Sequence, residues 1–127
     1  MNQNKRNNLI LAAVCGVLLA LEVGVYWSWR VGFQRRAVEE ACERGDNAMC
    51  FQLRNATHAA CERKDAAACV KEGCLLVRGL GGAENAAQGQ RLFRLGCSYG
   101  NSLACRLAAL DSNGARNVCP KFGPGVP

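Results

Sequence analysis

At 127 residues the chain has room for one small domain, and a hydrophobic content of 50% excludes general disorder. Its net charge of +6 is unevenly distributed, because residues 1–36 carry +4 and residues 37–127 carry only +2. The basic side chains therefore flank an apolar N-terminal segment and do not form a face of the domain. This distribution argues against a nucleic-acid partner.

The N-terminal segment begins with a short polar N-terminus, residues 1–8, and continues as an apolar run over residues 9–29. A helix of this length extends about 30 Å, which is enough to cross the hydrocarbon core of a bilayer. Aromatic residues close the run and Arg30 follows it, as is usual where a span meets the membrane surface. The sequence therefore predicts a transmembrane signal anchor over residues 9–29, with the lipid bilayer as its partner.

Glu22 leaves other interpretations of this segment open, because a charge inside a span costs a few kcal/mol unless it is protonated or paired. If the apolar run ends at Leu21, the segment has the length of a cleaved signal-peptide core, although no good small-x-small cleavage site follows it. A lipoprotein modified at Cys15 is a third interpretation. Val14 argues against it, because a small residue is required at that position.

Three segments of the chain align without gaps and share the spacing Cys-x7-Cys. They read CERGDNAMC at 42–50, CERKDAAAC at 61–69 and CSYGNSLAC at 97–105. From the first segment to the second both cysteines are offset by 19 residues, and from the second to the third by 36. A constant offset of both members of each pair indicates a structural repeat.

Each of these segments has the residue pattern of two helices joined by a tight turn. Gly45 and Gly100 can take the left-handed conformation that ends a helix. Asp46, Asp65 and Asn101 can each cap the helix that follows. With the one-sided apolar stripes between them, these patterns predict an all-α fold with helices at 31–44, 47–63, 66–79, 84–98 and 101–111. The helical repeat domain is then expected over residues 30–111, followed by an irregular tail at 112–127.

Nine cysteines in so short a chain indicate a disulfide scaffold or a metal protein. Zinc sites favour the spacing Cys-x2-Cys, which is absent here, so neither a metal nor another cofactor is expected. In an antiparallel hairpin the two cysteines of each repeat face each other, and a disulfide there would clamp the hairpin. The predicted clamps are Cys42–Cys50, Cys61–Cys69 and Cys97–Cys105. Setting Cys15 aside, Cys74 and Cys119 remain for a fourth bond.

The location of the domain is predicted from these cysteines. Basic residues near the span number two before it and three after it, so their count does not place the domain outside the cytoplasm. Disulfides persist in oxidising compartments and are rare in the cytosol. We therefore expect an extracytoplasmic domain, most simply one anchored in a bacterial inner membrane and facing the periplasm. A fully reduced chain would instead indicate a cytosolic thiol or metal protein.

Residues 68–104 read ACVKEGCLLVRGLGGAENAAQGQRLFRLGCSYGNSLA and resemble one Sel-one-like repeat, a relative of the tetratricopeptide repeat. The likeness lies in Gly73 and Leu76, in the Gly79/Gly81 loop and in the helix that follows, and it extends over roughly residues 32–111. The paired cysteines resemble the cysteine-rich bacterial branch of this family, in which such pairs are disulfides. The resemblance implies a short α-solenoid of antiparallel helix hairpins. The 19-residue offset between the first and second cysteine pairs departs from the period of the family and suggests that a connecting loop is lost between them.

Helical arrays of this family mostly act as interaction scaffolds, so the resemblance implies that the domain binds or positions an unidentified partner protein. The alternative is a β-lactamase-like or penicillin-binding protein, as some cysteine-rich members are described. No Ser-x-x-Lys motif occurs in the chain, and no catalytic residue is predicted. His58 is expected to be a surface or half-buried helix residue beside Glu62. Glutamates such as Glu43 and Glu72 are expected on solvated helix faces.

Overall fold

The computed structural model describes residues 2–122, and this part of the chain contains α-helices and no strand. The helices are α1 (Gln3–Glu43), α2 (Asn47–Glu62), α3 (Ala66–Arg78), α4 (Ala86–Ser98), α5 (Ser102–Ala108) and α6 (Ser112–Val118). The chain divides into two compact units, of which the first ends at Arg35 and the second begins at Arg36. The predicted all-α class with disulfide-clamped helix hairpins is therefore confirmed.

The first unit consists of helical residues and carries the apolar run. Among the described residues, α1 is the helix that is long and apolar enough to cross a membrane. Its apolar side chains are exposed, with Leu11 at 69% and Val25 at 70%. Contiguous exposed apolar surface of this kind marks a contact with a membrane or another protein. The Ser28 hydroxyl donates a hydrogen bond to the Gly24 carbonyl at 2.9 Å, which satisfies this polar group within the helix.

The predicted span at 9–29 and the predicted helix at 31–44 are parts of one helix. α1 begins at Gln3, inside residues 1–8, which are predicted as a separate polar N-terminus. No proline occurs before residue 120, so the backbone hydrogen bonds of α1 can continue from Gln3 to Glu43. The second compact unit begins at Arg36, six residues later than the predicted domain start at residue 30.

The three Cys-x7-Cys segments form tight turns of one common geometry. In each turn one residue has a positive φ angle: 96° at Gly45, 67° at Lys64 and 90° at Gly100. The next residue, Asp46, Asp65 or Asn101, begins the following helix by accepting hydrogen bonds from its first free N–H groups. The turn and cap residues predicted from the sequence therefore have the predicted roles.

Lys64 differs from its two counterparts, because it is a side-chain-bearing residue in the left-handed region. The clash between Cβ and the backbone there costs about 1 kcal/mol, whereas glycine has no Cβ. We expect Lys64→Gly to raise the free energy of unfolding by about 0.5 kcal/mol, because relief of the Cβ clash is partly offset by the greater entropy of glycine in the unfolded chain. Urea unfolding of the detergent-solubilised protein, followed by circular dichroism, would measure this change. The control is Lys64→Ala, which removes the charge and keeps Cβ; an equal gain in both variants would contradict the explanation.

Helix α3 lies at the centre of the second unit and packs against α2, α4, α5 and α6. It is apolar on most sides, as expected of a helix with neighbours all around it. Its fully buried residues are Cys69, Cys74, Leu75, Leu76 and Val77. Glycines bring α4 close to it: a Cβ on Gly73 would lie 2.5 Å from Phe93 Cε1, and one on Gly89 would lie 2.5 Å from Val77 Cγ1.

The loop between α3 and α4 packs against the beginning of α2. A Cβ on Gly81 would lie 2.5 Å from the carbonyl carbon of Cys50, so only glycine fits at this distance. The Gly81 N–H donates a hydrogen bond to Asn47 Oδ1 at 3.2 Å. The Gly79/Gly81 loop predicted from the sequence is therefore present. Through it, the connection between α3 and α4 contacts the beginning of α2, 34 residues earlier in the chain.

The predicted irregular tail at 112–127 is wrong in its first part, where α6 forms. Asp111 caps this helix by accepting a hydrogen bond from the Gly114 N–H at 2.7 Å, and Ala115 is fully buried. Asn and Gly have low helix propensity, so the residue pattern alone does not predict α6. Burial of Ala115 and the disulfide at Cys119 stabilise it. Residues 119–122 are not helical, and residues 123–127 lie outside the described part of the chain.

Candidate functional site

The eight cysteines of the second unit form four disulfides. Three of them clamp the turns, and they are Cys42–Cys50, Cys61–Cys69 and Cys97–Cys105. The fourth, Cys74–Cys119, joins α3 to the residue that follows α6. Among the described residues, the exposed Cys15 on α1 is the one free thiol. Disulfide sulfurs are neither nucleophiles nor metal ligands, so these eight residues act as structural links.

A polar cluster between α2 and α3 consists of His58, Glu62 and Glu72. His58 Nδ1 lies 2.9 Å from Glu72 Oε1, and His58 Nε2 lies 3.5 Å from Glu62 Oε1. Glu72 was expected on a solvated helix face and is instead buried, at 3% exposure. Within residues 2–122, no group forms a hydrogen bond with its second oxygen, Oε2. The expected neighbour Glu62 is thus the more distant contact, and Glu72 is the closer one.

The chemistry open to this cluster follows from the two ring nitrogens of His58. A carboxylate at Nδ1 orients an imidazole, and in catalytic sites the other nitrogen then activates a nucleophile. Here Nε2 faces the Glu62 carboxylate, which occupies the place that a nucleophile would need. Within residues 2–122, no group of three or more His, Cys, Asp or Glu side chains has an arrangement that could hold a metal ion. The arrangement favours a structural role over a catalytic one, in which His58 links α2 to Glu72 on α3.

A second polar junction connects the end of α1 to α3 and to the tail. Arg78 donates two hydrogen bonds to the carboxylate of Glu43, at 2.7 and 2.9 Å. The backbone N–H of Phe122 donates to the same carboxylate at 2.9 Å. The Arg78 guanidinium also lies over the Phe122 ring, 5.7 Å from its centroid. The junction therefore combines a bidentate ion pair and a backbone hydrogen bond with a cation–π contact to the buried ring of Phe122.

The hydrogen bonds from Arg78 lower the pKa of the Glu43 carboxyl, partial burial raises it, and the Phe122 N–H lowers it further. The net effect is a pKa below the ordinary value of 4.5. The same pair raises the pKa of Arg78. Because the pKa of Glu43 is lowered in the folded state, its ionised carboxylate stabilises the fold at pH values above the ordinary pKa. This contribution is lost as the pH falls through the folded-state pKa.

We therefore expect Glu43→Gln to lower the free energy of unfolding at pH 7 by about 2 kcal/mol, the magnitude of hydrogen bonds to a charged group that is largely buried. The deficit relative to the wild type should shrink below pH 4.5 and disappear in stronger acid. Urea unfolding at a series of pH values measures the deficit at pH 7 and its decrease in acid. The control is Glu40→Gln on the same helix, where the pair with Arg44 is longer, at 3.8 Å, and more exposed. A deficit that does not depend on pH would contradict the assignment.

Neither polar junction is predictable from the sequence, and the reason is the same for both. Glu43 and Arg78 are 35 residues apart, and His58 and Glu72 are 14 apart, so no local spacing connects them. Glutamates at helix-surface spacing look alike until the neighbouring helices are in place. The one available indication was that Glu72 lies within the most apolar of the predicted helices, 66–79.

Comparison of the chain with protein-family models found no match, and comparisons with curated proteins and with solved structures found none either. The resemblance to the Sel-one-like repeat therefore stays a prediction from the residues.

Proposed function

We propose that this is a membrane-anchored helical repeat protein that binds or positions a partner protein on the extracytoplasmic side. One observation carries the proposal: a helix long and apolar enough to span a membrane is followed, in the same chain, by helix hairpins clamped with disulfides. A clamped hairpin domain of this kind suits an interaction scaffold, and the resemblance to cysteine-rich Sel-one-like repeats supports the same role. The membrane proposed is a bacterial inner membrane, with the domain in the periplasm.

The export of the domain is supported by its four disulfides, because disulfides are rare in a reducing cytosol. A C-terminal fusion to alkaline phosphatase tests the orientation, since that enzyme becomes active only after export. We expect an active fusion and a protein whose mass, measured without reductant, corresponds to four disulfides. An inactive fusion together with a fully reduced chain would overturn the proposed location.

The contact surface that we propose on the domain is centred on Phe51, on α2. Its side chain is 56% exposed, more than that of any other large apolar residue described between Arg36 and Phe122. It follows Cys50, whose disulfide clamps the turn, and the Gly81 loop packs against its backbone N–H. Aromatic residues, including Phe, are enriched at the core of protein–protein contacts, and a rigid backbone reduces the entropy lost when such a ring is covered.

Site-specific photocrosslinking in intact membranes tests this contact. Phe51 is replaced by benzoylphenylalanine in the full chain, and the matched control carries the same residue at Arg106, an exposed position on α5. We expect one discrete adduct from position 51 and none from position 106. The adduct should disappear in the Cys42→Ala/Cys50→Ala background, where the clamp beside Phe51 is lost. The same adducts from both positions, or none from either, would contradict the proposed surface.

A further inference from the structure

The C-terminal end of the apolar run carries aromatic and basic side chains together. Tyr26, Trp29 and Phe33 are spaced by three and four residues and therefore share one face of α1. The rings of Trp29 and Phe33 are stacked, with centroids 5.9 Å apart. Trp27 follows Tyr26 in sequence and lies about 100° round the helix from it, and we call these four residues the aromatic collar. All four side chains are more than half exposed.

Arginines accompany the collar without any acidic counterpart. Between Glu22 and Glu39 the chain contains three arginines and no acidic residue. Arg30 extends along the collar, where its Nη1 donates a hydrogen bond to the Tyr26 hydroxyl at 3.0 Å. Arg35 is exposed on the same unit, and neither arginine forms an ion pair among the described residues. Their positive charge is therefore uncompensated within this unit.

We propose that the aromatic collar with Arg30 and Arg35 is a binding site for the headgroups of anionic phospholipids. Tryptophan and tyrosine rings prefer the headgroup level of a bilayer, which places the adjacent guanidinium groups at the depth of the phosphates. Guanidinium binds phosphate oxygens in a bidentate manner. The negative charge of anionic lipids would also neutralise the positive charge of Arg30 and Arg35. This inference rests on the proposed membrane anchor and adds a lipid class to it.

The chain provides its own probe, because Trp27 and Trp29 are its only tryptophans. The full-length protein is reconstituted in phosphatidylcholine vesicles that contain a small fraction of a brominated lipid, which quenches nearby tryptophan fluorescence. The brominated lipid is either phosphatidylcholine or phosphatidylglycerol, at equal mole fraction. The ratio of the two quenching efficiencies gives the relative association constant of the anionic lipid at the collar.

We expect phosphatidylglycerol to be preferred by about fivefold for each arginine that reaches the headgroups. The preference should fall towards one in Arg30→Gln/Arg35→Gln and in concentrated salt, which screens the attraction. The matched control is Lys5→Gln/Arg6→Gln, which removes the same charge at the other end of the run and should retain the preference. Equal quenching by both lipids in the wild type, or an equal loss in the control variant, would overturn the inference. Absence of quenching by either lipid would instead show that the helix is not in the bilayer, and the proposed anchor would then fail as well.

Discussion

Removal of the Cys74–Cys119 disulfide is expected to lower the free energy of unfolding by about 4 kcal/mol, more than removal of a hairpin clamp. The reason is the length of chain that each bond closes. Cys74 and Cys119 are 45 residues apart, whereas each clamp joins cysteines 8 residues apart. A longer closed loop removes more conformational entropy from the unfolded chain, and the same relation gives about 2.5 kcal/mol for a clamp.

Urea unfolding of Cys74→Ala/Cys119→Ala and of Cys97→Ala/Cys105→Ala, both in the full-length protein, compares the two kinds of bond. Cys74 is fully buried, so its replacement by alanine also leaves a small cavity. Cys74→Val/Cys119→Ala keeps most of the buried volume and isolates the loss of the bond. If Cys97→Ala/Cys105→Ala is destabilised as much as Cys74→Val/Cys119→Ala, loop length does not explain how much each disulfide stabilises the fold.

Phe93→Ala is expected to cost about 3–5 kcal/mol, as is typical when a fully buried aromatic side chain is truncated. Phe93 belongs to α4 and fills the space against α3, where Gly73 has no side chain. Loss of the ring removes apolar surface from the core and leaves a cavity between the two helices. Chemical denaturation measures the cost, and Phe93→Leu serves as a milder variant if the alanine variant does not fold.

Gly73 gives this prediction an internal control. Gly73→Ala alone should cost about 1–3 kcal/mol, because the new Cβ would lie 2.5 Å from Phe93 Cε1 in a packed core. In the Phe93→Ala or Phe93→Leu background the same methyl group enters vacated space and also favours the helix. The double variant should therefore be more stable than the sum of the two single effects predicts, by at least about 1 kcal/mol. Additive effects would mean that Gly73 and Phe93 do not contact each other.

The hairpins were predictable because their signals are local. A positive-φ residue, a capping side chain and two cysteines eight positions apart lie within one stretch of nine residues, and together they specify a clamped turn. The apolar run was predictable for a similar reason, since the length of a span is set by the bilayer and not by other parts of the protein. The pairing of Cys74 with Cys119 followed only from counting, because no local pattern connects the two residues.

The polar junctions and α6 were not predictable from local patterns. Glu43 was expected in solvent, and it accepts hydrogen bonds from Arg78 and from the Phe122 backbone because α1, α3 and the tail meet at that point. Glu72 is buried because α2 covers it and brings His58 within 2.9 Å. The helix propensity of the α6 residues is low, so this helix depends on contacts that form only in the folded chain.

The amino-acid sequence by itself determined the helical class, the three clamped turns and the apolar segment, because turn chemistry, cysteine spacing and hydrophobic length act over short stretches of chain. Only the tertiary structure decided which glutamates are buried, where the tail is held and how closely α3 and α4 approach. These features depend on pairs of residues far apart in sequence, and the energy of each pair exists only after the helices have packed.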